Sequence, residues 1–313
     1  MRKTVVYELN ALYRDPMRIT GYEFGEGEES VCVVGSMRGN EIQQLYTCSK
    51  LIQYLKELEE KKLLNPGHKI LVIPCLNSYS MNIGKRFWST DNTDINRMFP
   101  GYDQGETTQR IAAGVFEQIK NYKYGIQFAS FYMPGYFLPH IRMMKTGFED
   151  VETAKKFGFP YVALRMPRPF DTTTLNYNWQ IWETKAFSIY TTSTEEIDTN
   201  SAKDAVRGII RMMYQEKIVS QEPHGGKQYL SQVLEDADLV TVRCHEAGIY
   251  ESKVQVGEEV TKGQILAEIT DPYEGMVKEQ LTAPSDGTIF FLHNQPLTYA
   301  NTAVMKLICG CPT

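Results

Sequence analysis

The stretch GKRFWSTDNTDINRMFPG, residues 84–101, decides how this chain is read. It has neither a helical nor an alternating period, yet it gathers Arg86, Asp91, Asp94, Asn96 and Arg97 into one loop. On one side lies KILVIPC (69–75), an apolar run that predicts a buried strand. On the other, residues 106–122 place Ile111, Val115 and Ile119 on one side of a predicted helix. The segment between them, from Leu76 to about Gly105, is long for a connection in a compact domain, and such loops are functional or disordered.

The same alternation extends outward. Val31–Gly35 (VCVVG) predicts a second buried strand. After it, Ile42, Leu45, Ile52, Leu55 and Leu58 recur at helical spacing until Pro66-Gly67 breaks the pattern. Further strands are expected at 124–130, 160–164 and 186–191, and a helix over about 201–217 with Val206, Ile209, Ile210 and Met213 on its apolar face. Strands alternating with helices imply an α/β domain, a mixed and mostly parallel sheet flanked by helices. Two more segments, GSMRGNE (35–41) and YGIQFAS (124–130), fall at predicted strand ends, where such folds place ligand sites. Near residue 225 the texture changes, and from Asp238 short alternating runs are separated by Gly, Pro and Asp turns. We therefore expect an α/β domain over 1–228 and a small all-β domain over 229–313.

Bulk properties exclude several classes. At 313 residues, 42% hydrophobic and 23% charged, the chain can bury a sizeable core. A formal net charge of −5 without blocks of like charge argues against a nucleic-acid surface. No apolar run reaches the length of a membrane span, and MRKTVVYELNALYRDP lacks the apolar stretch of a secretory signal. Cys32, Cys48, Cys75, Cys244, Cys309 and Cys311 show no zinc-finger spacing, and Cys32 and Cys75 sit in apolar runs as buried thiols would. A reducing cytoplasmic location is expected.

The three segments, in this order and spacing, resemble the succinylglutamate desuccinylase/aspartoacylase family, relatives of the zinc carboxypeptidases. That family shows Gly-x-His-Gly-Asn-Glu, an arginine ahead of Asp-x-Asn-Arg-x-Phe-Pro-Gly, and Asp-Leu-His at a strand end. DINRMFPG followed by TTQRIAAGVFEQI and a strand is the most specific part, and the likeness spans roughly residues 28–200 and the β tail. It implies a zinc-carboxypeptidase-like fold, that of the metalloproteases, and hydrolysis of N-acyl amino acid amides. Zinc is held by two histidines and a glutamate, with an open position for water and a further glutamate to activate it. It also implies that Arg86, Asn96 and Arg97 grip the substrate's carboxylates, a task that suits the planar guanidinium fork.

The ligand set departs from that pattern. Arg38 stands at the first histidine's place, Ala129 at the second's and Gln127 at the preceding aspartate's, while Glu41 matches the glutamate ligand. Tyr190 falls where the activating glutamate belongs, within about a residue. Arginine offers only donors and alanine none, so neither ligates a metal. Arg38 and Glu41, three apart at a helix start, are close enough to meet. Either the guanidinium takes the metal's place beside Glu41, or Arg38 points to solvent and Glu41 sits at the helix N-terminus. Arg97 in turn either binds ligand or pairs with Asp94 or another core acid.

Other candidates are weaker. His140, in FYMPGYFLPHIRMM with Arg142, has a pKa suited to acid–base work but reads first as a loop histidine bonded to backbone. His68, His224, His245 and His293 are given no role. The aromatic stretches 131–137 and 177–183 read equally as pocket wall, core or subunit contact. The C-terminal segment resembles the family's hammerhead-like or barrel-sandwich β domain and, more distantly, biotinyl carriers. Lys278 near Ala283-Pro284 has the wrong spacing for cofactor attachment, so a module that shapes the site's rim or builds a homo-oligomer is expected. Two functions stay open. One is a degenerate member, a pseudoenzyme that binds a small carboxylated molecule such as an N-acyl amino acid without a metal. The other is a hydrolase with a site rebuilt on Glu41, His140 and Tyr190.

Overall fold

A computed structural model describes residues 1–10 and 15–309; Cys311, half of the C-terminal C-x-C pair, lies outside them. The chain divides into two compact units: residues 1–130 with 140–233, and residues 131–139 with 234–313. The boundary expected at 228/229 thus falls at 233/234, and the excursion of 131–139 into the second unit was not expected. No sequence period marks a chain that leaves a unit and returns to it.

The first unit opens with β1 (Arg2–Leu9), β2 (Met17–Phe24) and β3 (Gly27–Ser36), followed by α1 (Ile42–Glu60) and β4 (Gly67–Cys75). After the short α2 (Ser78–Met81) and a 3-10 turn at Ile95–Arg97 come α3 (Thr107–Ile119) and β5 (Tyr124–Phe128). The second unit's β6 (Gly135–Phe137) interrupts. Then come β7 (His140–Met144), α4 (Val151–Lys155), β8 (Tyr161–Arg165), α5 (Leu175–Ile181), β9 (Lys185–Tyr190), α6 (Thr199–Gln215) and β10 (Gln232–Leu234). One sheet runs in the order β1-β2-β4-β3-β5-β9-β7-β8-β10. β4, β3, β5 and β9 are parallel neighbours, whereas β1, β2 and the β9–β7 pair are antiparallel. The expected mixed α/β sheet is therefore present, with a β1–β2 hairpin that the sequence reading did not anticipate.

β3 is apolar from Val31 to Val34, where both of its faces are covered. Val31 and Val33 pack in one cluster with Leu51 and Leu55 of α1 and Ile209 of α6. Cys32 and Val34 pack in the other with Ile111 and Val115 of α3 and Trp179 of α5. Cys32 is a buried free thiol, as its apolar setting implies, and so is Cys48, whereas Cys75, expected to be buried as well, is only partly so.

The described elements of the second unit beyond β10 are strands and one 3-10 turn. These strands are β11 (Leu239–Arg243), β12 (Gly248–Ser252), β13 (Glu259–Val260), β14 (Ile265–Thr270), β15 (Val277–Thr282), β16 (Gly287–His293), β17 (Leu297–Thr298) and β18 (Ala303–Cys309). They form two sheets, β11-β18-β16-β13 with β6 paired to β16, and β15-β14-β12-β17. Leu266, Ile269, Ile289 and Leu307 belong to its core.

One close approach fixes β5. A Cβ at Gly125 would lie 2.6–3.0 Å from the Trp179 indole. That ring is fully buried and donates Nε1–H to the Ile119 carbonyl at 3.1 Å. Gly125→Ala is expected to cost about 1–3 kcal/mol in urea unfolding, as overpacking does. The cost should shrink in a Trp179→Phe background, and additive effects would show that the indole is not the obstacle.

Candidate functional site

Three parallel strands deliver the site residues to one edge of the sheet. β3 leads into the loop Met37–Glu41, β5 into Ala129 and Ser130, and β9 ends at Tyr190. The Ala129 amide donates to the Ile189 carbonyl at 3.0 Å, which continues the β5–β9 register past the strand ends. The long loop is tied to the β3 turn by backbone, with Gly39 N–H donating to the Arg86 carbonyl at 3.0 Å. A Cβ at Gly39 would sit 2.3–2.5 Å from backbone atoms of Lys85, Ser80 and Met81, so only glycine permits that approach.

Arg38 does not reach solvent. It is 6% exposed, and its guanidinium Nη1 donates to Glu41 Oε1 and to Ser130 Oγ, each at 2.9 Å. Nε and Nη2 donate to Asp94 Oδ2 at 3.2 and 2.8 Å. Glu41, 1% exposed, has its other oxygen filled by the Met37 and Arg38 amides at 3.0 and 3.1 Å, and Ser130 Oγ donates to Oε1. Four donors saturate this carboxylate. Although Glu41 is the residue before α1, its side chain does not cap that helix. Burial alone would lower the Arg38 pKa; the charges of Glu41 and Asp94 outweigh it and raise the value, so Arg38 is a permanent cation.

Arg86 joins the cluster from the other side. Its Nη2 lies 3.4 Å from Ser130 Oγ, and Nη1 lies 4.0 Å from Glu195, which also accepts from Asn40 Nδ2 at 2.7 Å. Burial lowers the Arg86 pKa and the neighbouring Arg38 charge lowers it further, only partly offset by Glu41, Asp94 and Glu195.

Asn96 and Arg97 are engaged elsewhere. Asn96 Oδ1 accepts from Gln127 Nε2 and the Leu175 amide, both at 3.3 Å. Arg97 Nη1 donates to the Phe170 carbonyl at 2.6 Å and sits 3.5 Å from Asp171, a buried acid that also receives Arg165 at 3.3 Å. Asp94, one candidate partner for Arg97, is instead taken by Arg38. His140 is not a loop residue: it opens β7 with Tyr190 as its cross-strand partner. It is fully buried, and its ring stacks on Tyr190 at 4.6 Å. Arg142 Nη1 donates to the Tyr190 hydroxyl at 2.9 Å. Ser130 and Glu195 went unnoticed in the sequence because nothing in their local pattern marks them.

The zinc set implied by the family does not fit these residues. A guanidinium holds the glutamate, alanine offers no donor atom, and among the described residues no three His, Cys, Asp or Glu side chains come together as a metal site. Removal of the Arg38 charge alone leaves the buried Glu41 and the half-buried Asp94 without it. Arg38→Met should cost about 3–5 kcal/mol in thermal or urea unfolding. Addition of Glu41→Gln should recover part of this and further addition of Asp94→Asn most of the rest; additive losses would show that the three groups do not act together.

Residues 28–130 match the family model of the succinylglutamate desuccinylase/aspartoacylase catalytic domain. The N-alpha-acetyl-L-2,4-diaminobutyric acid deacetylase of Halomonas elongata is 24% identical over 291 residues, which cover 87% of this chain and 79% of that protein. The fold is similar to that of a succinylglutamate desuccinylase/aspartoacylase from Rhodobacter sphaeroides (TM-score 0.81, 18% identity, 97% and 95% of the two chains). It is also similar to that of the product-bound ectoine utilization protein EutE (DoeB) from Ruegeria pomeroyi (TM-score 0.79, 17% identity, 94% and 90%).

Proposed function

We propose that this divergent relative of the succinylglutamate desuccinylase/aspartoacylase family binds a small carboxylated molecule of the N-acyl amino acid class without the zinc-dependent hydrolysis of its relatives. The observation that carries this reading is the Arg38 guanidinium, bonded to both Glu41 and Asp94 where a relative has a zinc-binding histidine. A guanidinium donates hydrogen bonds but accepts no lone pair, so it neither activates a water as a Lewis acid nor polarises a carbonyl as zinc does. It does leave the edge of the sheet suited to anions. Arg86 is the anchor in this reading: it reaches the same cluster, with Nη2 3.4 Å from Ser130 Oγ and Nη1 4.0 Å from Glu195. A ligand carboxylate at bonding distance would form a charge-assisted bond with it. Glu41 is a poor general base because four donors occupy its oxygens, and His140 is enclosed by Tyr190 and Arg142.

Protein purified without chelator should contain far less than one zinc per chain by elemental analysis. It should leave N-alpha-acetyl-L-2,4-diaminobutyrate and N-succinylglutamate uncleaved, while calorimetry detects binding of one of them. Arg86→Ala should weaken that binding about ten- to a hundredfold, the loss of a charge-assisted bond. Arg38→His with Ala129→His should recruit one zinc per chain. Stoichiometric zinc with turnover in the unaltered protein would overturn the reading.

A further inference from the structure

A cavity of about 320 Å³ in the first unit is lined from both α1 and α6. Tyr46, Lys50 and Tyr54 line it from α1, four residues apart and so on one face of that helix. Lys203 and Arg207 line it from α6 at the same spacing. Val206, also in the lining, is 5% exposed and packs in one cluster with Leu51 and Leu55 of α1, so the seam between the helices is apolar. None of these residues takes part in the Arg38 cluster.

The charges at this cavity run against those of the chain. The sequence holds 33 basic and 38 acidic residues, yet the lining has three permanent cations, Lys50, Lys203 and Arg207, and one acid, Glu57. Among the described residues neither lysine forms an ion pair. Lys50 instead lies over the Tyr46 ring at 5.3 Å. Arg207 Nη1 is 3.2 Å from Asp204, an acid 55% exposed and therefore screened by water. A turn holds this arginine in place. His224 closes the lining, and after it Gly225 and Gly226 have φ of +66° and +84°. A Cβ at Gly226 would lie 2.7 Å from Arg207 Cδ and 3.3 Å from Nε, so the turn rests on the arginine stem and limits where the guanidinium can swing. Burial and Glu57 raise the Tyr54 pKa against the opposing charge of Arg207, so its hydroxyl stays protonated and able to donate. A concave surface lined by one sign of charge concentrates counter-ions.

We propose that this cavity binds a small phosphate monoester. Such an ester carries a charge of about −1.5 to −2 at neutral pH on a compact group with three acceptor oxygens. Lysine ammonium groups suit it as point charges that approach from several sides, where a carboxylate calls for a planar fork. The two tyrosine rings and Val206 cover the organic part. The volume is at the lower end for ligand sites, which suits a small ester.

The probe is phenyl phosphate, titrated into the full chain by calorimetry at neutral pH and low salt. One molecule per chain should bind saturably, about tenfold more tightly than inorganic phosphate or benzoate. Lys50→Ala and Lys203→Ala should each weaken binding about tenfold, and the double variant should abolish it, at an unchanged thermal midpoint. Both lysines are exposed, so neither change is expected to unfold the chain. Arg86→Ala should leave the affinity unaltered. Inorganic phosphate or benzoate bound as tightly as phenyl phosphate, or an unchanged affinity in the double lysine variant, overturns the proposal. Binding lost in Arg86→Ala but kept in Lys203→Ala places the probe at the Arg38 cluster and also overturns it. A phosphoserine peptide that binds where phenyl phosphate does not shows a protein-docking surface and overturns it as well.

Discussion

A carboxylate enclosed as completely as Glu41 needs a cation. Removing an ion from water costs several kcal/mol even after the protein relaxes, and hydrogen bonds from backbone amides offset only part of that. Arg38 supplies the charge, but a guanidinium brings its own desolvation cost, and Asp94 answers it from the opposite loop. The consequence is mechanical as well as electrostatic. Asp94 ties the long segment 84–101 to the turn after β3, and its other oxygen accepts from the Asn96 amide at 3.0 Å, holding the 3-10 turn at Ile95–Arg97. A loop without periodicity is thereby ordered by one buried charge network.

The identity of the cation sets the chemistry that the sheet edge can perform. A metal with three protein ligands keeps a position open for water or a carbonyl. Here the donors of Arg38 are directed at three fixed oxygens, those of Glu41, Asp94 and Ser130. Ser130 is central to this closure, because its hydroxyl accepts from Arg38 and from Arg86 and donates to Glu41. It occupies the position after Ala129, so the strand end that has no zinc-binding histidine contributes a hydroxyl to the network.

What the sequence made legible was local. VCVVG and KILVIPC carry the mark of strands covered on both faces, and helical spacing placed α1, α3 and α6 within a few residues of their observed ends. The Arg38–Glu41 pair was readable because a separation of three at a helix start fixes proximity. Asp94 and Ser130 are 56 and 92 residues from Arg38, and no spacing rule reaches that far. His140 read as a loop residue because Pro139 and the aromatic run before it hide the start of β7, a five-residue strand whose antiparallel pairing with β9 only the assembled sheet defines. The β1–β2 hairpin was missed because the amphipathic pattern of β1, mostly exposed or half-buried, is weaker than that of a central strand.

The distribution of acids among the arginines narrows what the first unit can hold. Arg97, the arginine inside the most specific motif, is committed to Asp171 and the Phe170 carbonyl, and Phe170 also lies under the Arg97 guanidinium at 5.5 Å. Arg165 shares the same acid. Arg38 is held between two acids. Each of these cations meets its acid within 3.5 Å, and an incoming carboxylate would have to displace a partner already in place. Arg86 lies 4.0 Å from Glu195 and 3.4 Å from Ser130 Oγ, and burial and Arg38 oppose its charge while Glu41, Asp94 and Glu195 partly offset them. In the proposed reading a ligand carboxylate meets Arg86 rather than Arg97, whose guanidinium is committed to Asp171 and the Phe170 carbonyl.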